Sequence, residues 1–176
     1  ADLYAYFFSI RAFDPPGDAG RGRKFFVAKG CAECHNISST SAAGGTAVIR
    51  WESLTDVIEV ARQMWNHAPQ MQAAAAKKDI KLPQLTVAEM NDILVYLNSL
   101  PQVRNAPPVF APASPDTGAT LFDLKGCQGC HTAQKVAPGT GGIRSMAELA
   151  VTMWNHAGSM KQSSPLNSVE MRRIVG

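Results

Sequence analysis

The feature that most constrains this chain is a tandem repeat built from two short elements. The segment KGCAECH at residues 29–35 returns as KGCQGCH at residues 125–131. A second segment, MWNHAPQM at residues 64–71, returns as MWNHAGSM at residues 153–160. Because both elements recur in the same order, we infer that the chain is a duplication of one small domain.

All the cysteines of the chain lie in its two Cys-x-x-Cys-His motifs. Two thiols at this spacing can each add to one vinyl group of a haem, and the histidine that follows then faces the iron. The motifs therefore predict two covalently attached haem c groups. A zinc site with four thiolate ligands and thioredoxin-like redox pairs are the alternatives, and they fit the context less well. The cysteines predicted to bind haem are Cys31, Cys34, Cys127 and Cys130.

The composition is that of two small globular domains and excludes several classes of function. The chain has 176 residues, of which 45% are apolar and 18% charged, and its net charge of +3 is too mild to indicate nucleic-acid binding. Its apolar runs are far shorter than the roughly 20 residues of a membrane span. No secretory leader opens the sequence, so we expect any export signal to have been removed.

The residues ahead of each motif resemble those of class I cytochromes c. Gly22 and Phe26 precede the first motif, Gly118 and Phe122 precede the second, and a late helix, EMNDILVYL, closes the first unit. The resemblance implies an all-α fold with two tandem class I cytochrome c-like domains around covalent haem. It also implies electron transfer as the function, and two proximal iron ligands, His35 and His131.

Local signals independently predict helices. Asp18 and Asp116 are suited to cap the first helix of each unit. Later helices are predicted to begin at capping boxes, in which a polar residue is followed three positions later by Glu. These predicted caps are Asp56, Thr86, Ser145 and Asn167.

The predicted organisation has four parts. Residues 1–13 resemble the last helix of the first unit and are interpreted as the tail of an upstream repeat or as an N-terminal helix. The two haem domains are residues 14–100 and 116–176, joined by a stiff Pro-rich linker at 101–115. The second domain carries only half of its last helix. We therefore expect a fragment of a longer multihaem array, the alternative being an amphipathic leader and a frayed C-terminus.

The repeated Met-Trp-Asn-His segment offers candidates for the distal iron ligand. Pro69 and Gly158 are predicted to end the helices that carry it, which leaves Met71 and Met160 in a loop beside the haem. These two methionines are the predicted distal ligands, although Leu82-Pro83 stands where the family has Met-Pro. The alternative distal ligands are His67 and His156, which otherwise would be polar residues at a helix end.

The remaining repeated side chains are predicted to be structural. Met64 and Met153 lie on the apolar stripe of a helix, where methionine usually fills the core. Trp65 and Trp154 are predicted to pack in the core with a satisfied indole N–H.

The function predicted from the sequence is single-electron transfer by two six-coordinate haems, and not an enzymatic activity. The alternatives are a catalytic dihaem protein of the peroxidase kind and a haem-bearing structural subunit of a respiratory or filament assembly. The expected partners are redox proteins, including other subunits of a multihaem or respiratory assembly. The expected location is the periplasm or the extracellular side of a bacterial cytoplasmic membrane.

Overall fold

The structure is a computed structural model, and it describes residues 3, 7, 13–39, 45–51, 54–101, 103, 115–131, 145–158 and 164–175. These residues form helices joined by loops, with no strand among them, so the predicted all-α fold is confirmed. Most of residues 1–13, most of the linker at 101–115, and Met160 lie outside the described residues. No described helix is both long and apolar enough to cross a membrane.

In the described residues, each repeat contributes three α-helices in the same order. The helices of the first repeat are α1 (Ala19–Ala28), α2 (Val57–Ala76) and α3 (Val87–Asn98). Those of the second are α4 (Pro115–Leu124), α5 (Met146–Ala157) and α6 (Ser168–Val175). Short 3-10 turns occur at Cys31–Glu33, Val48–Arg50 and Cys127–Gly129.

The predicted helix starts are mostly confirmed. The Asp18 side chain accepts a hydrogen bond from the backbone N–H of Arg21, and Thr86 forms a complete capping box with Glu89. Three further predicted caps also accept from the backbone N–H three residues on, namely Asp56, Ser145 and Asn167. The prediction for Asp116 is wrong, because α4 begins at Pro115 and Asp116 lies within its first turn. Proline is well suited to the first helical position, since its missing N–H has no partner there.

The first and last helices of each repeat cross at a glycine. A Cβ atom on Gly22 would lie 1.9 Å from the backbone oxygen of Asp92 in α3. A Cβ atom on Gly118 would lie 2.2 Å from the backbone oxygen of Arg173 in α6. The glycine ahead of each haem motif therefore allows the two helices to approach more closely than any side chain would permit.

The centre of the molecule is formed by α2 and α5, which pack against each other. Each also contacts the last helix of the other repeat: α2 contacts α6, and α5 contacts α3. As a result, buried apolar residues of both repeats belong to one core cluster rather than two. Members of this shared core include Phe26, Val57, Leu94 and Leu97 from the first repeat and Met146, Leu149 and Val151 from the second.

The predicted helix break at Pro69 is wrong, because α2 runs through Pro69 to Ala76. Proline inside a helix removes one backbone donor. At Pro69 the missing donor is the one that would reach the carbonyl of Trp65, four residues earlier, and the helix continues past this position. The following residues, Ala73–Ala76, have the highest helix propensity and extend the helix further. The corresponding break at Gly158 is confirmed, since α5 ends at Ala157.

Candidate functional site

The first Cys-x-x-Cys-His motif forms a tight turn at the end of α1. Gly30 has φ of 78°, a left-handed conformation that glycine adopts without strain, and Gly126 has φ of 76° in the second motif. The backbone N–H of His35 then donates to the carbonyl oxygen of Cys31 at 2.9 Å. This turn brings Cys31, Cys34 and His35 to the wall of one cavity. In the second repeat the N–H of His131 makes the same bond to Cys127.

The environment of the cysteines disfavours the two alternatives to haem. Burial raises the pKa of the Cys31 thiol to about 11, and burial also raises the pKa of Cys127. Redox-active cysteine pairs need the opposite, a lowered pKa that provides a thiolate. Among the described residues, which include all four cysteines, no group of three or more His, Cys, Asp or Glu side chains converges as a metal site. The four-thiolate zinc site is therefore not assembled.

The ring of His35 is oriented by the loop that follows the motif. Its Nδ1 lies 3.1 Å from the backbone oxygen of Thr46, which also accepts a hydrogen bond from the indole of Trp51 at 3.2 Å. The edge of the Trp51 ring packs against the imidazole, with ring centres 5.2 Å apart. When Nδ1 donates to a backbone carbonyl, Nε2 is the nitrogen left to bind a metal. Gly45 permits this close loop, since a Cβ there would lie 1.9 Å from the Cys34 oxygen.

His67, on α2, faces His35 across the cavity. The centres of the two rings lie 6.3 Å apart. Imidazole nitrogens bind metals at about 2.0 Å, and each lies about 1.1 Å from its ring centre, so two imidazoles on opposite sides of one metal ion have centres about 6.2 Å apart. Burial is the main cause that lowers the pKa of His67, and the charge of His35 lowers it further. The lowered pKa favours the neutral imidazole that a metal requires.

The second repeat has the same pair of histidines. The ring centres of His131 and His156 lie 5.4 Å apart, so a shared metal would require them to separate by about 0.8 Å. The rings of Phe122 and His131 meet edge to face, with centres 5.7 Å apart.

The methionines of the repeated segment do not share one environment. Met64 and Met71 line the first cavity together with His67, because the unbroken helix keeps all three on one face. Met64 and Met153 also pack against the core cluster, as expected for core-filling residues. The loop position that favoured Met71 as a ligand does not exist, since Met71 lies inside α2. Met160 lies outside the described residues.

The cavity of the first repeat fits a haem at both its apolar and its polar end. Its walls are mainly apolar and include Phe26, Leu85, Ile93, Leu94 and Leu97. A neighbouring pocket, which shares His35, Trp51, Met64, His67 and Met71, is lined by Arg50 and Gln63. The Nε2 of Gln63 is buried, and the described part of the chain offers it no hydrogen-bond partner. Haem propionates would supply the missing acceptor, so these residues suit the carboxylate edge of the group.

Two polar residues of the repeated segment contact the opposite repeat. Asn66 donates to the carbonyl of Leu166 at 2.7 Å and accepts from its N–H at 2.9 Å. Asn155 makes the equivalent pair of bonds to Leu85, at 2.8 and 2.9 Å. The neighbouring indoles also donate across the repeats, Trp65 to Ser164 and Trp154 to Pro83. The prediction that each indole N–H has a hydrogen-bond partner is confirmed. The sequence did not indicate that the partner lies in the other repeat.

Sequence reasoning missed several residues of the site. Thr46 acts through its backbone oxygen, which leaves no signal in the side chain. Trp51 and Gln63 have no obvious counterparts in the second repeat, so the repeat pattern did not mark them. Asn66 and Asn155 were marked by the repetition itself, because an Asn at the same place in both copies indicated a shared role.

Comparison with known families gives a match to the first repeat. Residues 19–101 match the family model described as Cytochrome c, a range that extends from the start of α1 to just past the end of α3. This part of the chain is therefore similar to the cytochrome c family. No curated protein matches the chain significantly. The solved structures give no significant match either.

Proposed function

We propose that this chain is a dihaem electron carrier in which each repeat holds one haem c between two histidines. The observation that carries the proposal is the facing pair in each repeat, His35 with His67 and His131 with His156, whose ring centres lie 6.3 and 5.4 Å apart. In each pair one histidine follows Cys-x-x-Cys and the other lies on the repeated Trp-Asn-His segment. A haem c bound at each site supplies a one-electron ferric/ferrous couple.

The ligand proposal departs from the methionine pair predicted from the sequence. Met71 was favoured because a helix break would have placed it in a loop, and α2 continues through that position. His67 already lies opposite His35 at the separation that two imidazole ligands require. In the second repeat α5 ends at Ala157, and His156 is its penultimate residue, so it can shift by the small amount needed. We therefore propose His67 and His156 as the distal ligands.

The residues around the sites support transfer of an electron rather than chemistry on a bound substrate. If His35 and His67 held one haem iron and His131 and His156 the other, the protein would leave no coordination site for peroxide. The Thr46 carbonyl holds the ring of His35, and apolar side chains limit solvent in the cavity. A fixed imidazole ring and a cavity with little solvent both reduce the rearrangement of atoms that would accompany a change in the charge of a bound haem. The expected compartment is extracytoplasmic, as is usual for cytochrome c domains, and the expected partners are redox proteins.

The experiment that tests the haem count is intact-mass measurement of the mature protein after acid and organic extraction. Thioether-bound haem survives this treatment, so the mass should exceed the 18.9 kDa of the polypeptide by two haems. The variant Cys127→Ala/Cys130→Ala should retain one haem, and Cys31→Ala/Cys34→Ala should retain the other. A mass equal to that of the polypeptide would contradict the proposal, and a mass with one haem would restrict it to one repeat.

A further inference from the structure

The loop before the last helix of each repeat is held by side chains of the other repeat. In the first repeat this loop includes Pro83 and Leu85, and their backbone groups bond to Trp154 and Asn155. The indole of Trp154 donates to Pro83 at 2.8 Å, and the amide of Asn155 both donates to and accepts from Leu85. One side-chain amide thus satisfies both backbone groups of a single residue, which fixes that residue in two directions.

The loop before the last helix of the second repeat is held in the equivalent way. Trp65 donates to the carbonyl of Ser164 at 3.2 Å, and Asn66 pairs with both backbone groups of Leu166. We call each Trp-Asn pair with its opposite loop a crossed clamp. The first clamp is Trp154 and Asn155 on residues 83–85, and the second is Trp65 and Asn66 on residues 164–166.

The clamped loops belong to the haem sites. Leu82, Pro83 and Leu85 line the first cavity, and Trp154 itself lies in the same wall. Lys29, which directly precedes the Gly-Cys turn, donates to the carbonyl of Gln84 at 3.1 Å. The first clamp is therefore connected through one loop to the haem-binding turn.

The second loop is tied to its own motif in the same way. The Nζ of Lys125 donates to the carbonyl of Pro165 at 3.0 Å, and the hydroxyl of Ser164 donates to the carbonyl of Lys125 at 3.0 Å. A displacement of either clamped loop would be transmitted to the turn that carries the cysteines and the proximal histidine.

We propose that Trp154 and Asn155 are positioning residues for the first haem site and that Trp65 and Asn66 are positioning residues for the second. The Trp-Asn-His segment then has a divided role. Its histidine faces the cysteine motif of its own repeat, while its tryptophan and asparagine hold the wall of the other repeat's site. The haem readout of this inference depends on the proposed function, whereas the backbone readout does not.

Nuclear magnetic resonance of the full-length haem-loaded protein tests the crossed pattern. In Asn155→Ala we expect the Leu85 amide to exchange with solvent about tenfold faster, because its acceptor is lost, and the Leu166 amide to be unchanged. In the matched variant Asn66→Ala the Leu166 amide should become faster and the Leu85 amide should not. Asn155→Asp keeps the acceptor but not the donor, so its Leu85 amide should show intermediate protection.

The haem-methyl resonances provide the readout that a purely structural role would not move. Each haem can be assigned by its nuclear Overhauser contacts, the first to Phe26 and the second to Phe122. Asn155→Ala should shift the methyl resonances of the first haem, and Asn66→Ala those of the second. If Asn155→Ala does not fold, Asn155→Asp, which loses the donor to the Leu85 carbonyl, should shift the methyl resonances of the first haem and leave those of the second unchanged.

The outcomes separate this inference from the proposed function. If Asn155→Ala changes only the second haem and leaves the Leu85 amide protected, the clamps act within their own repeats and the inference is overturned. If the protein carries no covalent haem, the proposed function fails. The exchange rates of the Leu85 and Leu166 amides would still decide whether the clamps exist.

Discussion

The two repeats hold their last helices by different means. In the first repeat Arg21 of α1 donates to both carboxylate oxygens of Asp92 in α3, at 2.8 and 2.9 Å. In the second repeat the position equivalent to Asp92 is Arg173, and its neighbour Arg172 forms an ion pair with Asp56, the cap of α2 in the first repeat. An ion pair within the first repeat therefore helps to fasten its last helix, and an ion pair to the neighbouring repeat helps to fasten the last helix of the second.

A second polar contact also joins α6 to the first repeat. The hydroxyl of Ser168, the first residue of α6, donates to the carboxylate of Glu59 in α2 at 2.8 Å. Among the described residues, these two contacts of α6 with the first repeat both involve acidic side chains near the start of α2. The family match covers residues 19–101. The two repeats thus differ in the polar contacts that fasten their last helices, although both contribute to one core.

The largest expected effect comes from breaking the Arg172–Asp56 ion pair. The Arg172 side chain is 11% exposed and that of Asp56 is 6% exposed. Removing one partner of a buried pair leaves an uncompensated charge, so Arg172→Met should lower the free energy of unfolding by about 3 to 5 kcal/mol. Urea unfolding followed by circular dichroism measures the loss.

The matched control for that variant is Arg173→Met, since Arg173 is the exposed neighbour on the same helix. Its effect should stay within about 0.5 kcal/mol, as for most surface substitutions. Equal losses for the two variants would contradict the dependence of α6 on the first repeat.

The next effect concerns the two helix crossings. A Cβ atom at Gly22 would meet backbone at 1.9 Å, and one at Gly118 would meet backbone at 2.2 Å. Overpacking costs about 1 to 3 kcal/mol, and we expect Gly22→Ala to lie at the upper end because Arg21 and Asp92 fix the first crossing. Gly118→Ala should cost less, since α6 can shift. Thermal unfolding measures the loss of stability in both variants. A larger loss for Gly118→Ala than for Gly22→Ala would contradict this expectation.

A smaller and pH-dependent effect is expected at Asp92. The hydrogen bond from Arg21 is the main cause that holds the pKa of Asp92 below its ordinary value of 3.8. The resulting stabilisation is complete above that ordinary value and disappears as the pH falls through the lowered folded value. Because the Arg21 side chain is 57% exposed, Asp92→Asn should cost only about 0.5 to 1 kcal/mol at pH 7, and the difference should shrink in acid below pH 3.8.

Denaturant unfolding of the native protein and of Asp92→Asn across the acid range measures this dependence. Because Arg173 stands at the equivalent position of the second repeat, that position has no carboxylate to titrate. A difference between the two proteins that is independent of pH would mean that the Arg21–Asp92 charge pair does not stabilise the first crossing.

The smallest effects should be alike in the two repeats. Lys29 pairs with Glu89 and Lys125 pairs with Glu170, each at 2.9 Å, and both lysines precede a haem motif. Ion pairs that remain partly exposed contribute little, so Lys29→Met and Lys125→Met should each lower the unfolding midpoint slightly and by similar amounts. A large effect of only one of them would reveal a further asymmetry between the repeats.

Much of the local structure could be predicted from the sequence. The duplicated Cys-x-x-Cys-His motif and the capping residues Asp18, Asp56 and Thr86 depend on neighbours within a few positions. Because such signals require only residues that are close together in the sequence, these helix starts were predicted correctly. Asp116 was misassigned because Pro115 is itself a favourable first residue of a helix.

The errors arose where tertiary contacts outweigh local preference. Pro69 alone favours a break, but the packing of α2 against α5 and α6 and the alanines that follow Pro69 sustain the helix. The reciprocal bonds of Asn66 and Asn155 join residues about 100 and 70 positions apart, and no local pattern indicates which repeat each side chain will contact. The repetition could mark these residues as significant, but only the fold assigns their partners.

The central claim, that each haem lies between two histidines, is tested most directly by near-infrared magnetic circular dichroism of the oxidised protein. This measurement identifies the axial ligands of low-spin ferric haem through its charge-transfer bands. We expect bis-histidine bands from both haems, the loss of one haem's band in His67→Ala and of the other's in His156→Ala, and no change in the control Met71→Ala. A methionine-ligated band in the native protein that Met71→Ala abolishes, or high-spin iron that reacts with peroxide, would contradict this account.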